Sequence, residues 1–344
     1  MARISCVTVT YGPQPEVHRM LESVARHTVR ADVEVVVVTQ PSDEGEQAIE
    51  ESSWVRHVRL GTNEGFGVAN NIGVESATGD FVALLNPDLE VTEGWSAPLI
   101  EALADDVFCA APVLLNADGS IGEAGQVMFA DGGSEAIGGA RWPGERPEVF
   151  FSRDVQYASA ACWMVRRDVF RELGGFDAAY APAYFEDADL ALRAASAGRR
   201  SRLVVDRPVV HHHDGASAER VALARESQIV FRERQREVLA TCPTRIGETF
   251  DAIAARDHLC ERRVVVAVDE TVSDALLESV VATAAAEARG NPRWRVTVAA
   301  PSRPCLIGLR RRHASDGLEV IAGPVETVVA ARARGGAEVR WIGR

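Results

Sequence analysis

The sequence predicts an α/β protein whose strands form a parallel, doubly wound sheet with helices on both faces. Two observations support this. Short β-branched runs such as "ISCVTVTYG" (4–12) and "VEVVVVTQ" (33–40) are typical of buried strands. Stretches of helical character separate such runs, and strand–helix alternation is typical of parallel sheets. Ligands of these sheets bind at the carboxyl ends of the strands, so we expect the site there.

The elements of the first half follow in order. After the strand at 4–12 the sequence predicts a helix over 15–28, the strand at 33–40, a third strand in "WVRHVRLG", a Gly/Asn-rich segment that opens a helix, and a strand over 81–91. Residues 116–156 are rich in glycine and only weakly periodic. They predict loops with short strands.

Later segments show the same two kinds of pattern. They predict a strand running into a helix over 157–175, two short strands and a turn in "SRLVVDRPVVHHHDGAS", and a long amphipathic helix over 218–240. Beyond 260, four strand-like segments, two helical stretches and an Arg-rich loop at 310–312 indicate a second unit. We therefore predict a main α/β domain at 1–240, a linker at 241–260 and a small α/β accessory domain at 261–344.

Charge and cysteine content narrow the class of protein. The formal net charge of −13 argues against nucleic acid or an anionic membrane surface as the main partner. The six cysteines form no CxxC pair, which favours a reducing, cytoplasmic location over a disulfide framework or a zinc site. The sequence shows no signal peptide and no apolar run of the ~20 residues that a membrane span needs. The expectation is a soluble cytoplasmic protein with no integral membrane segment, its oligomeric state open.

Two segments of the predicted sheet edge suit a nucleotide. In "LLNPDLEV" the carboxylate of Asp88 follows a buried strand, which suits a divalent cation between protein and phosphate oxygens, although a simple turn is equally compatible. In "NEGFGVANNIG" Gly65 and Gly67 allow close backbone approach at a helix N-terminus, which favours anions. Structural packing of the glycines is the stronger local interpretation.

Two further segments contain titratable groups. In "VVHHHDGAS" His211 and His213 would share one face of a strand and His212 the other, and one neutral imidazole could bind a metal. In "FEDADLALRAASAG" Glu186 and Asp187 open a helix, where acids stabilise the helix dipole by roughly 0.3–1 kcal/mol. Asp187 and Asp189 cannot share a helix face, so one could enter a cleft. The local pattern leaves both roles open.

The order of these segments resembles that of the inverting family 2 glycosyltransferases, particularly the rhamnosyltransferase-like branch with the GT-A fold. The matching segments are "VTVTYGP", "NEGFGVANNIG", "LLNPDLEV", the long stretch from "ASAACW" to "LRAASAG", and "HHHDGAS". They cover roughly residues 3–240. The unit after 260 is outside the resemblance.

The resemblance implies a role for each segment. Asp88 would bind a cation, Mn²⁺ or Mg²⁺, with His212 as second ligand and His211 as the alternative. Asp187 would be the general base of a single displacement, moving a sugar from a dTDP- or UDP-sugar to the hydroxyl of a small-molecule, glycan or carrier-bound acceptor. The nucleotide would be bound by Thr10, Tyr11, Thr39, Asn63, Gly65, Phe66, Gly67, Asn71 and Asn86.

Two positions depart from the family pattern. Thr39 and Gln40 stand where the family usually has Asp-Asn, so the charged acceptor for the nucleobase is missing there. Ala160 or Ala161 stands where glycine is common before "CWMVRR". An inactive nucleotide-sugar-binding scaffold and a sugar nucleotidyltransferase are the alternative functions, the latter disfavoured because the N-terminus lacks a Gly-rich triphosphate loop.

Overall fold

The structure is a computed structural model that describes residues 3–28, 33–138, 149–212, 217–245, 252–334 and 336–343. Its main body is a ten-stranded mixed sheet, and a separate four-stranded sheet follows in the C-terminal quarter. Within the described ranges no helix is long and apolar enough to span a bilayer.

The first elements build the parallel half of the main sheet. They are β1 (Ile4–Tyr11), α1 (Glu16–His27), β2 (Val33–Gln40), β3 (Val55–Arg59), α2 (Phe66–Ser76) and β4 (Phe81–Leu85). The strands lie in the order β4-β1-β2-β3, and β1 pairs in parallel with β2 so that Thr10 is opposite Thr39. These elements confirm the predicted strand–helix alternation.

Burial explains why β2 is a nearly continuous apolar run. All eight of its residues are buried, because the strand is covered on both faces. Val35 and Val37 pack into the core that contains Met20 of α1, whereas Val36 and Val38 pack into the core that contains Ala69 of α2. The sheet is therefore doubly wound, as predicted.

The middle of the chain turns the sheet from parallel to mixed. The elements are β5 (Leu89–Glu90), α3 (Ser96–Glu101), β6 (Val107–Leu115), β7 (Ile121–Glu123), β8 (Gln126–Met128), β9 (Ser134–Ala136), β10 (Arg153–Val155), β11 (Cys162–Arg166), α4 (Arg167–Glu172), a short 3₁₀ helix (Ala178–Tyr180), α5 (Glu186–Ser196) and β12 (Arg200–His211). β11 is antiparallel to β4, and this places the start of β11 beside the end of β4.

Three sequence predictions in these regions were wrong. The strand predicted over 81–91 is two strands, β4 and β5, because the turn at Asn86–Asp88 interrupts it. The segment predicted as two short strands is the single strand β12, which accommodates Pro208 through a register shift between Val204 and Val209. The helix predicted over 218–240 is divided at Gln235 into α6 (Ala218–Arg234) and α7 (Arg236–Leu239).

The C-terminal quarter forms the smaller sheet. Its elements are α8 (Ala252–Arg256), β13 (Arg262–Val268), α9 (Asp274–Gly290), β14 (Trp294–Ala300), α10 (Cys305–His313), β15 (Leu318–Ala322), α11 (Val325–Ala333) and β16 (Glu338–Ile342), with parallel strand order β15-β14-β13-β16. The four strands agree with the sequence. Three helices rather than two connect them, and Arg310–Arg312 lie in α10 rather than in a loop.

Buried ion pairs join the smaller sheet to residues before it. Arg256 donates to Asp257 and, at 2.7 Å, to Glu319 of β15, and all three side chains are fully buried. The Arg256 guanidinium also lies 5.2 Å from the ring centre of Phe151 in the main body. The division at 240 and 260 stays a prediction, but the segment predicted as a linker contains the helix α8, whose Ala255 and Arg256 are buried.

Candidate active site

The candidate site lies at one edge of the main sheet. The parallel strands β1 to β4 all end there. Because β11 runs in the opposite direction, Cys162 at its start lies opposite Leu85 at the end of β4. β12 also ends at this edge, where His211 pairs with Leu89 of β5. The topology thus brings together the segments that the sequence singled out.

Asp88 lies beside His211. Their side chains approach to 3.3 Å between Oδ1 and Nε2, and both are largely buried. His212, the residue after β12, contacts a different acid: its Nε2 lies 3.3 Å from Glu90 Oε2. The geometry therefore favours His211, the alternative ligand in the sequence prediction, over His212. His213 is outside the described residues.

The Asp88–His211 pair fits a divalent cation such as Mn²⁺ or Mg²⁺. Neighbouring ligands at ~2.1 Å from an octahedral ion lie about 3 Å apart, close to the observed separation of the carboxylate oxygen and the imidazole nitrogen. Asn86 Oδ1, on the same turn, is buried and lacks a hydrogen-bond partner among the described residues. No group of three His, Cys, Asp or Glu side chains in those residues could hold a metal. Two side chains would therefore leave the remaining positions to water and substrate oxygens.

Asp187 is held at the start of α5 by backbone amides. The Ala160 amide donates to its Oδ2 at 3.1 Å, and the Ala188 amide donates to its Oδ1 at 2.7 Å. Burial raises the pKa of Asp187, and these two hydrogen bonds oppose the rise. Together with the amide of Asp187 itself, these backbone groups use three of the four lone pairs of the carboxylate, so it can still accept a proton.

The turn before α5 is strained. Tyr184 and Phe185 both have left-handed backbones, with φ of 78° and 68°. Such residues cost of order 1–3 kcal/mol each and persist where packing enforces them, often at functional sites. The Phe185 ring packs against Phe231 of α6 at 5.0 Å between ring centres, and it is a partly buried member of the core around α6.

The other two acidic side chains of α5, Glu186 and Asp189, are buried. Asp189 accepts from Tyr180, Arg193 and Gln235, so its carboxylate ties α5 to its neighbours. Glu186 opens the helix as predicted, but its side chain is buried. Burial and the nearby Asp187 raise its pKa well above the ordinary value. The raised pKa disfavours the ionised form, so Glu186 stabilises the helix dipole less than the sequence indicates.

Glu123 of β7 is a second carboxyl group beside Asp187 that sequence reasoning missed. Its Oε1 accepts from the Ser159 amide at 2.7 Å, one residue before the amide that binds Asp187, and its Oε2 accepts from Gln126 at 2.7 Å. Burial, with a smaller contribution from Asp187, raises its pKa to about 7. No local signal in "SIGEAG" indicates this position, because the contacts depend on tertiary structure.

The glycines of "NEGFGVANNIG" serve close packing. Gly65 has φ of 86°, and a Cβ there would lie 2.7 Å from the Pro182 carbonyl oxygen. That carbonyl accepts from the Phe66 amide at 2.7 Å. A Cβ on Gly67 would lie 2.9 Å from Phe176 Cβ. The loop after β3 is thus fitted against the segment that leads into α5.

Two of the three asparagines of this segment, Asn63 and Asn71, are predicted nucleotide ligands and make internal hydrogen bonds. Asn63 Oδ1 accepts from the Gly65 amide at 3.0 Å. Asn71 donates to the Phe176 carbonyl at 2.8 Å and accepts from the Phe176 amide at 2.9 Å. The predicted nucleotide contacts of these residues stay a prediction, whereas their role in fixing the loops is visible.

Three of the residues predicted to bind the nucleotide, Thr10, Tyr11 and Thr39, differ in accessibility. Thr10 and Thr39 are fully buried, whereas Tyr11 is 52% exposed. Thr39 Oγ1 donates to Glu46 Oε1 at 2.5 Å and lies 2.8 Å from His57 Nε2. Glu46 is a second carboxylate that the sequence analysis did not identify.

Comparison with known proteins places this geometry in a family. A family model described as Glycosyl transferase family 2 matches residues 5–174. An N-acetylglucosaminyl-diphospho-decaprenol L-rhamnosyltransferase of Mycobacterium tuberculosis is 30% identical over 290 residues, which cover 74% of this chain and 92% of the relative. An uncharacterized glycosyltransferase of Bacillus subtilis is 27% identical over 256 residues, covering 71% of this chain and 87% of the relative.

A solved structure supports the fold. The crystal structure of GalNAc-T7 with UDP, GalNAc and Mn²⁺ matches with a TM-score of 0.53 at 17% identity, over 68% of this chain and 48% of that one. At this identity the likeness concerns the fold, which is the GT-A arrangement that the sequence predicted.

Proposed function

Since this chain belongs to glycosyl transferase family 2 and is a glycosyltransferase, we propose that it moves a sugar from a dTDP- or UDP-sugar to an acceptor hydroxyl with inversion, assisted by a divalent cation. One observation carries the proposal. The Ala160 amide binds Asp187, and the next residue, Ala161, accepts from the Asn86 amide at 2.9 Å. Two consecutive residues thus link the candidate base to the turn that bears Asp88.

Asp187 is the proposed general base. Its carboxylate takes the proton of the acceptor hydroxyl while that oxygen attacks the anomeric carbon. The bond from the anomeric carbon to the diphosphate breaks, and the diphosphate leaves with the electron pair. A base of this kind contributes ~10²–10⁴-fold to the rate. Burial raises the pKa of Asp187 and so strengthens it as a base.

Asp88 and His211 are the residues that would hold the cation, and a bound cation would stabilise the negative charge of the diphosphate. Asp88 lies in the turn between β4 and β5, and His211 is the last residue of β12. His211 is kept in place by the pairing of β12 with β5. Asp88 is kept in place by its carbonyl, which accepts from the His212 amide at 3.0 Å.

The acceptor is proposed from the nature of the relative. The mycobacterial protein is named for transfer of L-rhamnose to a diphospho-decaprenol-linked N-acetylglucosamine. A lipid-linked diphosphosugar is accordingly the first acceptor to test, with soluble glycans next.

The test is product formation. Purified protein, Mn²⁺, a dTDP- or UDP-sugar and candidate acceptors should give a glycoside whose anomeric configuration, read by NMR, is opposite to that of the donor. Product with retained configuration would contradict single displacement. Nucleotide binding with no product from any acceptor would favour the scaffold alternative.

A further inference from the structure

We infer that Glu46 is the residue that reads the nucleobase, and that its one open carboxylate oxygen selects a base with a single imide N–H, uracil or thymine. The inference rests on the proposed function, because it assumes a nucleotide donor at this edge of the sheet. It moves the recognition role from Thr39 to a residue in the following loop.

The first observation is that Glu46 covers Thr39. Thr39 is fully buried at the end of β2, so a ligand cannot reach its hydroxyl in this structure. The hydroxyl donates to Glu46 Oε1 at 2.5 Å, and the Glu46 side chain remains 26% exposed. Glu46 therefore presents a carboxylate to solvent directly in front of the buried threonine.

The second observation is that the loop carrying Glu46 is tied to the end of β1. The Tyr11 amide donates to Gln14 Oε1 at 2.8 Å, and the Gln14 amide donates to Gln47 Oε1 at 2.7 Å. Tyr11 is an exposed aromatic ring at the same edge, and aromatic faces stack on nucleobases. The loop that carries the Glu46 carboxylate and the strand end that carries the Tyr11 ring are thus connected by consecutive hydrogen bonds.

The third observation concerns which oxygen is open. Oε1 accepts from Thr39 and, at 2.7 Å, from Arg59 Nε. Within the described parts of the chain, Oε2 has no hydrogen bond. The Thr39 hydroxyl and Arg59 hold the pKa of Glu46 below its usual value, so the group is ionised at neutral pH. Burial lowers the pKa of His57, which is accordingly neutral there.

A carboxylate with one open oxygen discriminates between bases. Uracil and thymine present one N–H at ring position 3 between two carbonyls. Guanine presents two adjacent donors, which suit both oxygens of a free carboxylate. Cytosine and adenine present a ring nitrogen acceptor beside their amino group, and an acceptor facing a carboxylate is repelled. Arg59, exposed beside Glu46, can donate to a base carbonyl.

The test compares UDP with 3-methyl-UDP, in which the imide N–H is replaced by a methyl group. Calorimetric titrations with Mn²⁺ use the unaltered protein, Glu46→Gln, and the control Glu44→Gln, an exposed glutamate of the same loop. A hydrogen bond to a charged group corresponds to about 10- to 100-fold in affinity, so the unaltered protein should prefer UDP by that factor. Glu46→Gln should lose most of this preference, and Glu44→Gln should keep it.

The preference is a ratio within one variant, so a general weakening of binding or folding does not imitate its loss. If Glu46→Gln keeps the full preference for UDP over 3-methyl-UDP, the inference is wrong while the proposed function stands. If the unaltered protein binds GDP more tightly than UDP and dTDP, both the inference and the proposed donor are wrong. If the unaltered protein binds no nucleotide diphosphate with metal present, the proposed function itself fails.

Discussion

Replacing Glu123 with glutamine should remove a pH dependence of stability that the unaltered protein has. Burial raises the pKa of this carboxyl to about 7 in the folded protein, from an ordinary value of 4.5. Between those two pH values the folded protein keeps a proton that the unfolded chain has released. Stability therefore falls as pH rises through this window and is fully restored only below about pH 4.5.

The magnitude follows from the two pKa values. A difference of one pKa unit between the folded and unfolded states corresponds to ~1.4 kcal/mol of stability. The rise in the pKa of Glu123 from 4.5 to about 7 therefore corresponds to roughly 3 kcal/mol of unfolding free energy lost by pH 8, relative to a pH well below 4.5. Glu123→Gln preserves the oxygen that accepts from Ser159 and has no charge to bury. Part of this loss has already occurred at pH 5, so between pH 5 and pH 8 the variant should lose ~2.5 kcal/mol less.

The assay is urea unfolding of both proteins at half-unit steps from pH 5 to pH 8. The other titratable groups are common to both proteins, so the difference between the two curves reports Glu123 together with its interaction with Asp187. Parallel curves over the whole range would refute the claim that Glu123 is a buried carboxyl with a raised pKa.

Two further predictions concern the metal pair and the loop before α2. Asp88→Ala and His211→Ala should each abolish most of the gain in UDP or dTDP affinity that Mn²⁺ provides, whereas His212→Ala should retain it. Calorimetric titrations with and without Mn²⁺ measure this gain. Loss of the gain in His212→Ala but not in His211→Ala would show that His212 is the ligand. Gly65→Ala should lower the free energy of unfolding by ~1–3 kcal/mol, because its φ is 86° and the new Cβ would meet Pro182, while Gly61→Ala, with open space around it, should change urea stability little.

The first half of the fold could be predicted because its strands are dense β-branched runs. β2 was predicted with its observed bounds, since a strand buried on both faces reads as continuous apolar sequence. β12 was misread because Pro208 is typical of a turn, and only the neighbouring strands show that a register shift accommodates it. The three consecutive arginines at 310–312 are typical of a loop, and they interrupt the apolar periodicity of α10, in which Leu306 and Leu309 are buried.

The site could be predicted in outline but not in its pairings. Strand alternation places neighbouring histidines on opposite faces, but which face meets Asp88 depends on the pairing of β12 with β5. Glu46 and Glu123 lie in segments without a local pattern and reach the site through contacts with Thr39 and Ser159. Such contacts are set by tertiary packing, so a single sequence does not reveal them.

The most direct test of the proposed mechanism is the effect of Asp187→Asn on turnover and on nucleotide affinity, measured together. The amide keeps the shape of the side chain but cannot take the acceptor proton, so we expect kcat to fall by ~10²–10⁴-fold with the nucleotide Kd within about twofold. Asp105→Asn, which alters an exposed acid before β6, is the matched control. Turnover of Asp187→Asn close to that of the control would show that Asp187 is not the base.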